Sequence, residues 1–237
     1  MECRRVGIMP DTFTAALLDH DCWLERASGD QLPLRARSWH QEPSATDEAL
    51  LAHCVGPTLD VGCGPGRFTS ALLRRGVLSI GIDSSPLAVR LTGLRSGIAI
   101  HGDVFGAVPG EGRWHHVLLA DGNIGIGGDP EALLRRAHQL IAPHGTVLVE
   151  AGPPELGLHR EQVRIAGRHG GGAWFPWAWL GVNVLRSLAR HAGLTCVASW
   201  HRECRWFAEL RPRRPASLDH GGEPVAQAVT ASLIKQW

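Results

Sequence analysis

The sequence predicts an α/β fold: a doubly wound, mostly parallel seven-stranded sheet with an antiparallel last strand. An N-terminal helical segment precedes it, and a hairpin is inserted after the fifth strand. Three observations predict this. Short apolar runs alternate with helical patterns between residues 58 and 150, the mark of βαβ units and a parallel sheet. The turn LDVGCGPGRF, residues 59 to 68, joins a strand directly to a helix through three alternate glycines. The chain of 237 residues, 44% hydrophobic and 20% charged, suffices for one large domain with a sizeable core.

The elements follow in order. DTFTAALLDH and SATDEALLAHC read as helices, and CWLERASGDQLPLRA between them as a hairpin turning at Ser28-Gly29-Asp30. TLDV (58–61) is the first strand of the sheet, and RFTSALLRRG (67–76) is a helix stopped by Gly76. LSIGID (78–83), SPLAVRLTGL (85–94) and GIAIHGD (97–103) give strand, helix and strand. HHVLLAD (115–121) is the fourth strand. Asp129 as N-cap with Pro130 behind it starts the next helix, 129–141. GTVLVEAG (145–152) is the fifth strand, and EQVRIAGRHGGGAWFPWAW a hairpin around a glycine-rich turn. A helix at 182–193 leads to two final strands, LTCVASWH and RWFAELR. The chain thus divides into a cap (1–57), a main domain (58–211) with a lid at 153–181, and a tail (212–237), where VAQAVTASLIKQW has a helical pattern.

Composition excludes several classes. The formal charge is +1, so no global field draws the chain to nucleic acid. No apolar run approaches the ~18 residues of a membrane span, and MECRRVGIMPDTF carries no signal-like apolar region, so a cytoplasmic protein without membrane contact is expected. The six cysteines form no CxxC pair and the thirteen histidines no HxH or HExxH, so no metal is expected.

The glycine turn carries the chemistry. Gly62, Gly64 and Gly66 let the backbone approach a ligand, and the helix start presents free N–H groups. The spacing is GxGxG with Asp60 before it and Cys63 within it, whereas a dinucleotide fingerprint is GxGxxG. Asp60 to Gly66 resembles motif I, E/DxGxGxG, of the class I S-adenosylmethionine (SAM) dependent methyltransferases. That resemblance spans roughly residues 55 to 152. It implies that this loop wraps the methionine part of SAM, with Asp60 beside the ammonium. It further implies that Asp83, with Ser84 next to it, accepts the ribose hydroxyls. Asp103 and the Val104 N–H would then hold the adenine, and Asp121 with Gly122 would lie near the SAM amino group.

The fourth strand ends in ADGNIGIGGDP, beside the topological switch point where open α/β sheets bind ligands. Methyltransferases acting on DNA-base amines resemble one another here in a [DNS]PP[YFW] motif. This chain has Asp121-Gly122-Asn123 instead, which moves the acceptor away from nucleic acid. Asn123 is a candidate contact to acceptor or SAM, with setting the turn as the alternative. The acceptor pocket is expected from the hairpin and the cap: His159 and His169 as candidate bases, Arg160 and Arg164 as anion clamps, and Trp174, Phe175, Trp177, Trp179 and Trp39 as walls. The function expected is methyl transfer to oxygen or nitrogen of a small molecule, in specialised metabolism. The alternatives are a peptide acceptor, a SAM-binding protein without catalysis, and an NAD(P)-dependent oxidoreductase, against which GxGxG, Asp60 and Asp103 argue. The tryptophan-rich hairpin would serve equally as a contact between two copies of the chain.

Overall fold

The computed structural model describes residues 12–18, 21–168 and 170–213. The expectations for His169 and for a helix within the tail fall outside those residues. In chain order the elements are α1 (Thr14–Leu18), β1 (Trp23–Arg26), β2 (Gln31–Pro33), α2 (Ala36–Trp39), α3 (Ala45–Leu51), β3 (Thr58–Val61) and α4 (Arg67–Arg74). Then come β4 (Ser79–Asp83), α5 (Pro86–Leu94), β5 (Ala99–His101), β6 (Trp114–Leu119), α6 (Pro130–Leu140) and β7 (Ile141–Ala151). The chain closes with β8 (Leu158–Gly167), β9 (Gly170–Gly171), β10 (Phe175–Leu180), α7 (Val182–His191), β11 (Leu194–Arg202) and β12 (Arg205–Pro212).

Local chemistry starts the helices. Ser44 caps α3 in a reciprocal box with Asp47. Ser85 and Asp129 cap α5 and α6, each with proline at the first helical position.

Seven strands form the main sheet in the order β11-β12-β7-β6-β3-β4-β5. The strands from β3 to β7 are parallel, and β12 and then β11 add antiparallel. Both faces are buried, which is why the central strands read as continuous apolar runs. Along β6, Val117 and Leu119 join a core with Leu133, Leu134, Leu185 and Leu188 of α6 and α7. Leu118 points the other way, into a core with Leu50 and Leu51 of α3 and Phe68 and Leu72 of α4. The order reverses between β3 and β6, so the switch point lies where Val61 and Leu119 end their strands.

The cap and the inserted hairpin, separate in the sequence, are one structure. β1 pairs with β8, making a second antiparallel sheet in the order β10-β8-β1-β2. One face of it, with Leu24, Val163, Ile165, Phe175 and Trp177, packs against Ala16 of α1 and Ala36 of α2. No helix among the described residues is long and apolar enough to cross a membrane.

Candidate active site

Between the C-terminal ends of the main sheet and the second sheet lies a cavity of about 540 Å³. Its floor is the turn after β3. Gly62, Gly64 and Gly66 all have positive φ (68°, 53° and 79°), a conformation glycine adopts without steric cost. A Cβ built on Gly64 would meet nothing within 4 Å, so the backbone here faces open space. Gly66 starts α4 and does not line the cavity, whereas Gly62, Cys63 and Gly64 do.

The three strand-end acids converge there. Asp60 is buried at 2% exposure, and its Oδ2 accepts the Thr69 hydroxyl at 2.8 Å. Burial pushes its carboxyl up to about 6, against the hydrogen bond from Thr69. Asp83 accepts the Gly64 N–H (2.9 Å) on Oδ2 and the Ser85 N–H (2.8 Å) on Oδ1, which fixes the carboxylate plane. Its carboxyl is also raised, by burial. Asp103 accepts the Phe105 N–H at 3.0 Å, and Ser84 and Val104 line the same wall.

At the end of β6, Asp121 takes φ +52°, and Gly122 behind it +83° without lining the cavity. Asn123 donates its side-chain amide to the Val61 carbonyl at 2.8 Å and the Gly62 carbonyl at 3.1 Å. It therefore ties the ADGNIGIGGDP loop to the glycine turn while lining the cavity itself. Gly125 passes so close to β10 that a Cβ would lie 2.1 Å from the Ala178 carbonyl oxygen.

Sequence reasoning missed a buried ion network behind this wall. Arg67 contacts Asp47 with Nη1 and Asp121 with Nη2 (2.5 Å). Arg205 reaches Asp47 at 2.6 Å and grips Glu150 with two bonds of 2.7 Å. Glu150 in turn accepts the Asp121 N–H at 2.7 Å. Arg67 Nε is buried without a partner among the described residues, and Arg67 lines the cavity. The position of Arg67, directly after the motif glycines, was the one local signal for it.

The second sheet and the N-terminal helices packed on it supply part of the expected pocket. Trp39 and Trp177 line the cavity, joined by Phe13, Phe105 and Gln162, which had no sequence signal of their own. Phe175 is buried at 2% exposure in the core beneath. Besides Phe175, five expected residues do not line the cavity: His159, Arg160, Arg164, Trp174 and Trp179, the last packed against the core of the second sheet. The His159 ring is held by the Leu156 carbonyl at 2.7 Å, and Arg164 pairs with Glu25 and stacks on Trp174, 42% exposed. Arg160 lines only an adjoining hollow shared with Gln162, Pro176 and Trp177, and meets Asp129 at 3.4 Å. The reason is geometric: an antiparallel hairpin offers only one edge to the cavity, so most of its side chains point along its two faces. No group of three His, Cys, Asp or Glu among the described residues is placed to hold a metal.

The sequence profile of the family described as a methyltransferase domain matches residues 59–149. The fold resembles a SAM-dependent methyltransferase from Bacteroides fragilis solved with S-adenosylhomocysteine (SAH), at TM-score 0.71 and 20% identity over 86% of this chain and 96% of that one. It also resembles the CcbJ methyltransferase of Streptomyces caelestis (TM-score 0.58, 18% identity, 74% and 92% covered). A third is the 1,6-didemethyltoxoflavin-N1-methyltransferase of Burkholderia thailandensis (0.54, 20%, 70% and 76%). No curated protein matches the chain in sequence.

Proposed function

We propose that this chain, whose residues 59–149 match a methyltransferase-domain family, binds SAM along the floor of the cavity and methylates a small molecule held under the second sheet. The observation that carries this reading is the convergence of Asp60, Asp83 and Asp103 with the open glycine turn on one cavity wall.

The residues present fit the methyl donor. Each Asp83 oxygen keeps a lone pair beyond its backbone bond, enough to accept two vicinal hydroxyls. The space over Gly64 admits a ligand where any side chain would intrude. The orphaned Arg67 Nε would be satisfied by a carboxylate, and Asp60 and Asp121 offer acceptors for an ammonium. SAM supplies an electrophilic methyl on a sulfonium. The protein's part is to align it: Asn123 fixes the glycine turn, and Trp39 and Trp177 confine the acceptor and exclude water. His159 does not reach this space as the chain stands; among the described residues, the titratable groups that line it are five aspartates, the Cys63 thiol and Arg67.

Calorimetric titration with SAM, SAH and NADH tests the reading. Both sulfur ligands are expected to bind with one site per chain, and Asp83→Ala to weaken both. Binding of NADH with neither sulfur ligand would overturn it.

A further inference from the structure

The cavity's charge is lopsided. Five carboxylates line it, from Asp60, Asp83, Asp103, Asp121 and Asp129, against one guanidinium, Arg67. That guanidinium is itself held between Asp47 and Asp121. Such a cavity attracts cations and repels anions. The first four carboxylates are assigned above to SAM, and the fifth, Asp129, is not.

Asp129 caps α6, accepting the Ala132 N–H on Oδ1 at 3.2 Å. The same oxygen meets Arg160 at 3.4 Å, a long contact between half-exposed groups, worth little in water. Oδ2 has no hydrogen bond among the described residues. The cavity it shares is walled by aromatic rings: Phe13 lies 6.3 Å from Trp39 and 6.0 Å from Trp177, centroid to centroid. Ring faces attract cations as well as apolar groups. No histidine or lysine among the described residues lines the cavity, so the groups there that would take up an acceptor's proton are carboxylates and the Cys63 thiol.

We propose that the acceptor is an amine on an apolar body, its ammonium form recognised by the Asp129 carboxylate and the rings of Phe13, Trp39 and Trp177. This deepens the methyltransferase reading and rests on it. The bound ammonium gives one proton to solvent at the mouth, where Asp129 is half exposed. The nitrogen lone pair then forms the N–C bond as the C–S bond breaks. The electron pair of that bond passes to sulfur, so the donor leaves as neutral SAH and the product as a methylated ammonium. Asp129 acts before the transfer, by selecting and holding the cation.

The test uses three probes of one shape and different charge: tryptamine, tryptophol and indole-3-propionate, titrated calorimetrically into the full chain saturated with SAH. Tryptamine is expected to bind about tenfold or more tighter than either counterpart, as a charge-assisted hydrogen bond would give. Asp129→Asn keeps a good helix cap, so the fold is retained and SAH affinity should not change. In that variant the preference for tryptamine over tryptophol should disappear. A tryptamine that binds no better than its counterparts, or not at all at millimolar concentration, overturns the inference. So does a preference that survives in Asp129→Asn. Failure of SAH itself to bind removes the methyltransferase reading and this inference with it; SAH binding without amine preference removes this inference alone.

Discussion

Arg67 joins Asp121 at 2.5 Å with one arm of its guanidinium and Asp47 with the other, so a residue of the glycine turn is tied to the fourth strand end and to the N-terminal segment. Asp47 is 1% exposed and is shared with Arg205 at 2.6 Å. Removing one partner of a buried ionic cluster leaves charge without compensation, at about 3–5 kcal/mol. Asp47→Ala should lower unfolding free energy by about that amount in urea titration, and weaken SAM binding as well. Ser44→Ala, which removes only the α3 cap, should cost about 1 kcal/mol and leave SAM affinity unchanged. Equal losses in the two variants would mean that the network adds nothing beyond the cap.

Asp60 predicts how cofactor binding depends on pH. Its carboxyl is raised to about 6, first by burial and also by the nearby Asp121 charge. A raised acid means that the folded protein prefers the protonated form. Its ionisation therefore costs stability, a cost absent below the unfolded value of about 4 and complete above about 6. A cation bound beside it favours the ionised form. SAM affinity should therefore be flat above about pH 7 and fall by up to tenfold per pH unit below about pH 6. Calorimetry in two buffers of different ionisation heat should show proton release at pH 6. In Asp60→Asn the slope should flatten; an unchanged slope would place the proton elsewhere.

The loop ADGNIGIGGDP is held by two contacts that separate cleanly by mutation. Asn123→Ala removes the bonds to the Val61 and Gly62 carbonyls, leaving two acceptors to water or to nothing, at about 1–3 kcal/mol. Because those carbonyls shape the glycine turn, SAM affinity should fall alongside stability. Gly125→Ala acts on packing instead: the new Cβ would collide with the Ala178 carbonyl and the Trp177 ring, prising β10 from the loop. Gly122→Ala meets open space and should cost only backbone strain, about 1 kcal/mol. Thermal unfolding should rank Gly125→Ala well below Gly122→Ala.

What could be read from the sequence was what neighbouring residues decide. TLDV at 58–61 matches β3 residue for residue, because a buried parallel strand ending in a glycine turn has a local signature. Asp60, Asp83 and Asp103 were legible as strand ends for the same reason, and all three line the cavity. The pairing of β1 with β8, some 140 residues apart, was not legible. Each hairpin could be seen alone, but which edge would accept which depends on tertiary packing. The same holds for Asp47 and Arg205, 158 positions apart, and for Phe13 in the cavity wall. The hairpin's arginines were misleading for a related reason. Arg164 has its carboxylate partner in Glu25 across the strand pair, a contact that no local pattern announces.

His116 lies at the far end of the sheet from the cavity and should set an acid limit on stability that the cofactor does not alter. It is 7% exposed in β6, with Nδ1 2.8 Å from the Thr146 hydroxyl and Nε2 accepting the Val55 N–H at 3.2 Å. An acceptor role at Nε2 requires the neutral ring, with the proton on Nδ1. Burial, then the neighbouring His115, lowers its affinity for a proton below the usual histidine value. For a histidine lowered in the folded state, the unfolded chain binds the proton more readily. The stability it contributes is full above the unfolded value of about 6.5 and is lost as the pH falls below it. Unfolding free energy should therefore decline from pH 7 to pH 5 by an increment that His116→Gln abolishes, both with and without SAH. The Asp60 effect runs the other way over the same interval and is removed by Asp60→Asn. The double variant should thus lie closer to pH-independence than either parent, and a decline that persists in it would assign the acid limit to another group.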